Sequence, residues 1–414
     1  MIVLLNLNRY IGGGETLAIR FAEYLHQCGE DYVVLTADGD CWIACEARKK
    51  SLNLMIWPVS EDSVAYMRMS EIAGLRCAMA DYFCGKENLR VFTFCFRDLY
   101  NAYEVFRGLA MTTVRLSHGV YHPEDVLYLS SASLRPRRII EANRRIARAM
   151  IARNSMLFMN AIGCAFTLGR GELEVVEGEL RDVFIPIPMV IDRSIPQRHL
   201  RPGEKVRVIC ISRFVDFKIG AVLAVMRAVK QMPEVELTVV GHGPFEHLLR
   251  LWIWKNRPSN MAVVTGVGPD QLDSIIDDHD VGYAQGTAIL EIAKRGLPVL
   301  IAPYSTLRDI VRQTFCSPGV FGDVRGAAAF GELRGRSGPS SRPIAAQLKM
   351  VIADYQGYRR KSATYITEFD SRTVFPRIVA FIERATFDPN RERLVPAKPP
   401  ILKRLLRRYA ARLV

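Results

Sequence analysis

Two cations stand five residues apart behind an apolar run. In VICISRFVDFK, Arg213 follows a strand-like pattern and Lys218 falls where a helical pattern begins. A forked guanidinium and a point-charge ammonium at one strand end suit a diphosphate; a solvated loop with two ordinary surface charges is the alternative. GTAILE at 286–291 opens a helix after a strand. There Gly286 and Thr287 would offer backbone N–H groups to phosphate, and Glu291, one turn on, would accept from ligand hydroxyls; a surface glutamate is the plain reading. VGHGP at 240–244 puts Gly241 at a close-approach loop or a simple turn. GGGE at 12–15 joins a strand to a helix. Gly12 and Gly13 would let backbone approach a ligand beside the free N–H groups of a helix start, or form a tight turn.

His118 closes the strand pattern TTVRLSHG, placed to hydrogen-bond a substrate or to serve structure alone. Its spacing to His122 would hold zinc on a helix, but Gly119 and Pro123 mark a loop and no third ligand follows. The strings Asp38-Gly39-Asp40 and Asp278-His279-Asp280 resemble cation-binding pairs, yet both are short and ordinary at turns. No metal is expected.

These residues need a scaffold of alternating strands and helices. MIVLLNL, YVVLTA, VFTFCF and TTVRLSHG read as strands of one sheet. TLAIRFAEYLHQCG reads as a helix ended by Gly29, RRIIEANRRIARAMIAR as a basic helix, and FIPIPMVI as an exit strand. Residues 192–204 are polar, with two prolines, and mark a boundary. The alternation then restarts through VRVICISR, VELTVVG, MAVVTG, DVGYA and PVLIAP, with helices between and closing helices at about 344–367 and 372–385. The expected parts are an α/β domain over 1–192, a second over 204–370, a closing helix over 371–387 and a tail over 388–414. Both domains are doubly wound and face a cleft, with ligands at the carboxyl ends of strands.

The chain has 414 residues, 49% of them hydrophobic, enough for two cores and too apolar for global disorder. No apolar run reaches the roughly 18–20 residues of a membrane span, and MIVLLNLN lacks the features of a signal peptide. Nine scattered cysteines without a CxxC pair suggest reduced thiols and a cytoplasmic protein. The net charge of +13 is localised. Arg135–Arg153 carries seven Arg and one Glu, and Arg391–Val414 carries eight Lys/Arg and one Glu, which together hold the whole excess. The first stretch has no aromatic residue, which argues against nucleic acid.

The order of the motifs across 206–303 resembles the donor half of the retaining GT-B glycosyltransferases of the large "glycosyl transferases group 1" family. Shared features are an Arg and Lys after the first strand, the Gly turn at Gly241, and Gly266 ending a strand. An Asp-led strand and a Gly-rich loop follow, with a helix whose Glu precedes a Gly-Leu-Pro strand. GGGETLAIRFAEYL resembles the family's opening, and the last helices resemble its close. The resemblance implies a GT-B fold of two Rossmann-like domains and a nucleotide-diphosphate sugar donor, with no other cofactor. It implies that Arg213 and Lys218 grip the diphosphate, Glu291 the ribose hydroxyls, and Gly286 and Thr287 the phosphates or sugar. Gly12 and Gly13 would lie under the donor, and His118 would touch its sugar. It further implies retention by front-side attack, without a metal, onto a glycan or lipid-linked acceptor in bacterial cell-surface polysaccharide or lipopolysaccharide synthesis. One departure stands out: the family's Glu-x7-Glu pair would place its first acid at Tyr283. A non-catalytic GT-B scaffold and a sugar-nucleotide epimerase relative are the alternatives.

In the tail ILKRLLRRYAARLV, Ile401, Leu402, Leu405, Leu406, Tyr409 and Leu413 recur at helical spacing, with Lys403, Arg404, Arg407, Arg408 and Arg412 opposite. Such a basic amphipathic helix suits the plane of an anionic membrane, here the inner face of the cytoplasmic membrane; a helix docked on the body is the alternative. Deleting residues 391–414 is expected to abolish co-sedimentation with anionic liposomes. Unchanged pelleting would remove the tail as the anchor.

Overall fold

The structure is a computed structural model. It describes residues 1–9, 12–60, 63–109, 113–127, 136–169, 183–191, 197–200, 202–305, 316–326, 330–331 and 341–392. The basic tail, with Lys403, Arg404, Arg407, Arg408 and Arg412, lies outside them.

Two compact units are present. One comprises Met1–Ile187 with the described residues from Val374 to Glu392, and the other Pro188–Thr373. The first is built on a six-stranded parallel sheet in the order β3-β2-β1-β4-β5-β6. Its strands are β1 (Ile2–Asn6), β2 (Tyr32–Thr36), β3 (Leu54–Ile56), β4 (Asn88–Thr93), β5 (Thr113–Val120) and β6 (Met156–Phe158). Strands covered on both faces must be apolar at successive positions, and β1 and β2 are buried throughout. Val3, Leu5, Val33 and Leu35 enter one core, and Ile2, Leu4, Tyr32 and Val34 the other. The helices are α1 (Gly13–Gln27), α2 (Trp42–Lys49), α3 (Met69–Tyr82), α4 (Phe96–Phe106), α5 (Pro136–Ile151) and α6 (Ala161–Leu168). Helix α1 buries Leu17, Ala18, Phe21, Ala22 and Leu25. Beyond it Gly29 takes the left-handed φ of 70° expected of the residue that ends a helix.

The second unit has a five-stranded parallel sheet in the order β11-β10-β7-β8-β9. The strands are β7 (Val206–Ile211), β8 (Val235–Val240), β9 (Met261–Val264), β10 (Val281–Ala284) and β11 (Val299–Ile301). Between and after them run α7 (Asp216–Lys230), α8 (Glu246–Asn256), α9 (Pro269–Asp277), α10 (Thr287–Ala293), α11 (Ile344–Ala353) and α12 (Tyr355–Ile366). The short strands Cys316–Ser317 and Arg342–Pro343 pair antiparallel. Among the described residues, no helix is long and apolar enough to cross a membrane.

The expected boundaries shift in three places. FIPIPMVI forms only isolated bridges at Phe184 and Met189, because Pro186 and Pro188 carry no N–H for a ladder. The helix expected over 344–367 is two helices, broken at Asp354, whose carboxylate caps the second by accepting from Gly357 N at 3.1 Å. The closing helix, α13 (Ser371–Arg384), is no separate part. Its Val374, Phe375, Ile378, Phe381 and Ile382 are built into the core of the first unit, so the chain returns there at Val374.

Phe375 is 2% exposed and stacks on Phe21 at 5.2 Å and on Tyr24 at 5.0 Å. Phe375→Ala is expected to cost ~3–5 kcal/mol, read as a lower urea midpoint for the first unit.

Candidate functional site

In each sheet the chain reverses its direction of travel once. In the second unit the order runs outward through β8 and β9 on one side of β7, and through β10 and β11 on the other. The loops after β7 and β10 therefore part, leaving a crevice at their carboxyl ends where α/β sheets bind ligands. The segment carrying Arg213 and Lys218 follows β7, and that carrying Gln285, Gly286 and Thr287 follows β10. Five of the expected positions thus meet at or beside this reversal: Arg213, Lys218, Gly286, Thr287 and, through its contact with β7's loop, Gly241.

The loop after β7 is held by the loop after β8. Ser212 N donates to Val240 O at 3.0 Å, Phe214 N to His242 O at 2.8 Å, and Phe245 N to Phe214 O at 3.1 Å. A side chain on Gly241 would overlap the Ser212 carbonyl, and one on Gly243 would lie 2.6 Å from Phe214 O. Glycine is needed here for close approach. The backbone on both sides of Arg213 is pinned, while its side chain is exposed and makes no hydrogen bond or ion pair among the described residues. Gly266 has a left-handed φ of 76° past the end of β9, with open space where a Cβ would stand. It shapes that turn.

Lys218 lies in the first turn of α7 and is half-buried. Its Nζ donates to Gln285 O at 3.4 Å and lies 3.9 Å from where a Gly286 Cβ would stand. Gly286 has φ 69° and ψ −142°, a region open essentially to glycine alone. The ammonium thus sits over the Gln285–Gly286 backbone, beside a small cavity lined by Cys210, Ser212, Lys218, Tyr283, Gln285 and Ala302. Burial pushes the Cys210 thiol up to about 12, which keeps it protonated and inert; the Lys218 charge opposes the shift. Tyr283, in the register of the family's first acid, is 1% exposed and donates to Ala221 O at 3.3 Å. Burial raises its phenol well above the usual range. It is a core residue.

Glu291 lies one turn beyond Thr287 on α10 and pairs with Lys294 at 2.8 Å, which also reaches Asp273 at 3.1 Å. Its carboxylate is therefore shared within a surface ion-pair chain. Arg198 and Arg295 extend that chain through Asp277.

In the first unit the reversal falls between β1 and β4. Gly12 precedes α1 in extended backbone, and its carbonyl accepts from Thr16 N at 3.1 Å and Thr16 Oγ1 at 3.0 Å. The loop carries a polar network that sequence reasoning missed. Asn8 Nδ2 donates to the buried Glu15 at 2.6 Å, and Arg97 donates to Asn8 Oδ1 at 2.9 Å. Arg97 also pairs with Asp98 at 3.2 Å, and Asp98 accepts from Leu7 N at 3.3 Å. Asp98 is fully buried. Desolvation raises its carboxyl against the lowering pull of Arg97. These residues had no motif to mark them: they lie about 90 positions apart and meet only because β1 and β4 are neighbours.

His118 lies on β5, beside Thr93 of β4, and is 0% exposed. Nδ1 is 2.8 Å from Thr93 Oγ1 and Nε2 is 3.0 Å from Asp125 Oδ2, while Asp125 Oδ1 accepts from Phe96 N at 2.9 Å. Both ring nitrogens are engaged, so in this conformation the imidazole ties β5 to the start of α4 and presents no ring atom to a ligand. Among the Asp-x-Asp strings, Asp38 pairs with Arg9 at 3.3 Å and Asp280 accepts from Arg207 N at 2.8 Å. Among the described residues no three His, Cys, Asp or Glu side chains come together in a way that could hold a metal ion.

No protein-family model matches the chain, and no curated protein does. Solved structures match over nearly its full length. HepE from Anabaena, solved with UDP and glucose, has a TM-score of 0.59 at 15% identity, over 92% of this chain and 99% of that one. A glycosyltransferase from Rickettsia africae reaches 0.61 at 11% identity, over 93% and 98%. WaaG, a glycosyltransferase involved in lipopolysaccharide biosynthesis, reaches 0.54 at 14% identity, over 92% and 99%. The chain has the GT-B fold of these proteins, with two Rossmann-like α/β domains.

Gly241→Ala drives a methyl group into the Ser212 carbonyl. The expected cost is ~1–3 kcal/mol, measured by urea unfolding of the second unit.

Proposed function

We propose that this GT-B chain is a glycosyltransferase that moves a sugar from a nucleotide-diphosphate donor to a glycan or lipid-linked acceptor. The observation that carries the reading is that Arg213 and Lys218 follow β7 at the β7/β10 reversal, with Lys218 over the Gln285–Gly286 backbone. HepE was solved with UDP and glucose, and the pneumococcal O-GlcNAc transferase GtfA with UDP and GlcNAc. Uridine is therefore the first base to test.

The chemistry follows from charge. As the glycosidic bond to the diphosphate lengthens, negative charge builds on the leaving oxygens. Lys218, partly withdrawn from water, and Arg213, on a pinned loop, place positive charge there before the reaction begins. The Gly286 and Thr287 backbone would meet the phosphates or sugar, and Glu291 the ribose, sharing its carboxylate with Lys294. In this reading the two cations supply the charge that a metal supplies elsewhere. The configuration at the sugar carbon is retained by front-side attack, with the departing diphosphate taking the acceptor's proton. In the first unit, Gly12 and Gly13 would let backbone at the start of α1 approach a ligand. His118, held by Thr93 and Asp125, is a positioning residue there. The acceptor belongs to bacterial cell-surface polysaccharide or lipopolysaccharide synthesis, a reading supported by the likeness to WaaG, which is involved in lipopolysaccharide biosynthesis. The protein works in the cytoplasm at the membrane's inner face, held by its basic tail.

The rival reading is a non-catalytic GT-B scaffold. It draws on Tyr283, a buried phenol in the register where the family carries an acid. Transfer or hydrolysis of a nucleotide sugar separates the two.

A thermal-shift screen of nucleotide sugars is expected to give stabilisation by one base class. Arg213→Ala should leave the ligand-free melting temperature unchanged, because the side chain is exposed. It should weaken binding of the stabilising nucleotide by ~1.5–3 kcal/mol, the worth of a charge-assisted contact. Stabilisation by no nucleotide sugar would sink the reading.

A further inference from the structure

One polar group at the crevice takes no part in gripping the diphosphate. Gln285 follows the last residue of β10, is 6% exposed and lines the cavity beside Lys218. Its Nε2 donates to the Gly331 carbonyl at 3.0 Å. A carbonyl oxygen only accepts, so this bond fixes which end of the amide is which. The other end, Oε1, is buried with no hydrogen-bond partner among the described residues. Folded chains rarely leave a buried acceptor unpaired, and such an exception calls for an unseen partner or a functional reason. A second orphan lies nearby. Ser305 is 2% exposed, its Oγ has no partner among the described residues, and its N donates to the carbonyl of Phe217, the residue before Lys218. The Gly331 carbonyl that holds Gln285 also accepts from Tyr304 N at 2.9 Å. Two unsatisfied polar groups therefore flank the turn that carries the lysine.

We propose that Gln285 is a specificity residue for the donor sugar, its Oε1 accepting a hydrogen bond from a sugar hydroxyl while Ser305 Oγ offers a second contact. This rests on the glycosyltransferase reading and extends it to the sugar. The residue type fits its neighbour. Lys218 Nζ already lies over the Gln285 backbone carbonyl. A carboxylate on the same residue would compete for that ammonium and cancel charge needed by the diphosphate. A neutral amide recognises a hydroxyl and leaves the charge in place. It also accounts for sugar recognition in a chain whose residue 283 is a core tyrosine.

Titration calorimetry tests this with three pairs of probes: UDP and UDP-glucose, GDP and GDP-mannose, ADP and ADP-glucose. In one pair, the wild-type chain should bind the sugar conjugate roughly tenfold or more tightly over the bare diphosphate, as sites with buried polar groups discriminate. Gln285→Met, close in shape, should erase that preference and leave the affinity for the bare diphosphate unchanged. Gln285→Leu is the second variant, and melting curves of both confirm folding. Gln285→Glu should instead weaken the bare diphosphate by roughly tenfold, the effect of losing one charge-assisted contact. A preference that survives in both apolar variants, or is missing from the wild type, overturns the assignment of Gln285 while leaving the diphosphate site standing. Failure of the wild type to bind any diphosphate overturns both.

Discussion

The second unit depends on a reversal of direction in its sheet. Crossovers from β7 lead to β8 and β9 on one side, and the chain returns to lay β10 and β11 on the other. Parallel strands all point the same way, so the loops after β7 and β10 emerge side by side yet turn apart. That separation gives room for Lys218 to lie over the Gln285–Gly286 backbone with a cavity beside it. An apolar chain in a buried parallel sheet has few places for polar atoms. The crevice collects them because the pairing ends there and side chains are released from the core.

Rigidity comes from the glycines of the neighbouring loop. Gly241 and Gly243 let the backbone after β8 press against Ser212 and Phe214, and three backbone hydrogen bonds lock the two loops together. A long cation on a free loop would lose much of its charge effect to motion and solvent. Arg213 emerges from a pinned backbone, and Lys218 from the first turn of a helix whose apolar face is buried. The field of the site is thus set mainly by backbone packing.

The first unit solves a similar problem differently. At its own reversal, between β1 and β4, polar side chains meet one another, Asn8 with Glu15 and Arg97 and Arg97 with Asp98, and beside it between β4 and β5 His118 meets Thr93 and Asp125. Glu15, Thr93, Asp98 and His118 are buried, where an unmet bond is costly, so these pairings fix their loops. Among the described residues Asn6 Nδ2, at the end of β1, is still left without a partner, and in the crevice of the second unit Gln285 Oε1 and Ser305 Oγ are.

The fold class was legible in the sequence because burial on both faces leaves a mark that no other environment does: short apolar runs such as IVLLN and VRVICI, set between amphipathic helices. Arg213, Lys218, Gly241 and Gly286 were legible for the same reason, since each follows such a run. Other features were not. FIPIPMVI has strand composition, but its prolines deny it a ladder, and the last helix has an ordinary amphipathic pattern that does not say which core it enters. Its return to the first unit was decided by packing on Phe21. His118 reads equally as ligand or structure until its two neighbours are known. Gln285 is invisible as a motif, because being unpaired is a property of surroundings. Periodicity along one chain reports which faces are buried. Contacts such as Leu7 with Asp98, or Gln285 with Gly331, are distant in sequence, and only the tertiary structure decides which polar groups find partners and which are left for something else to meet.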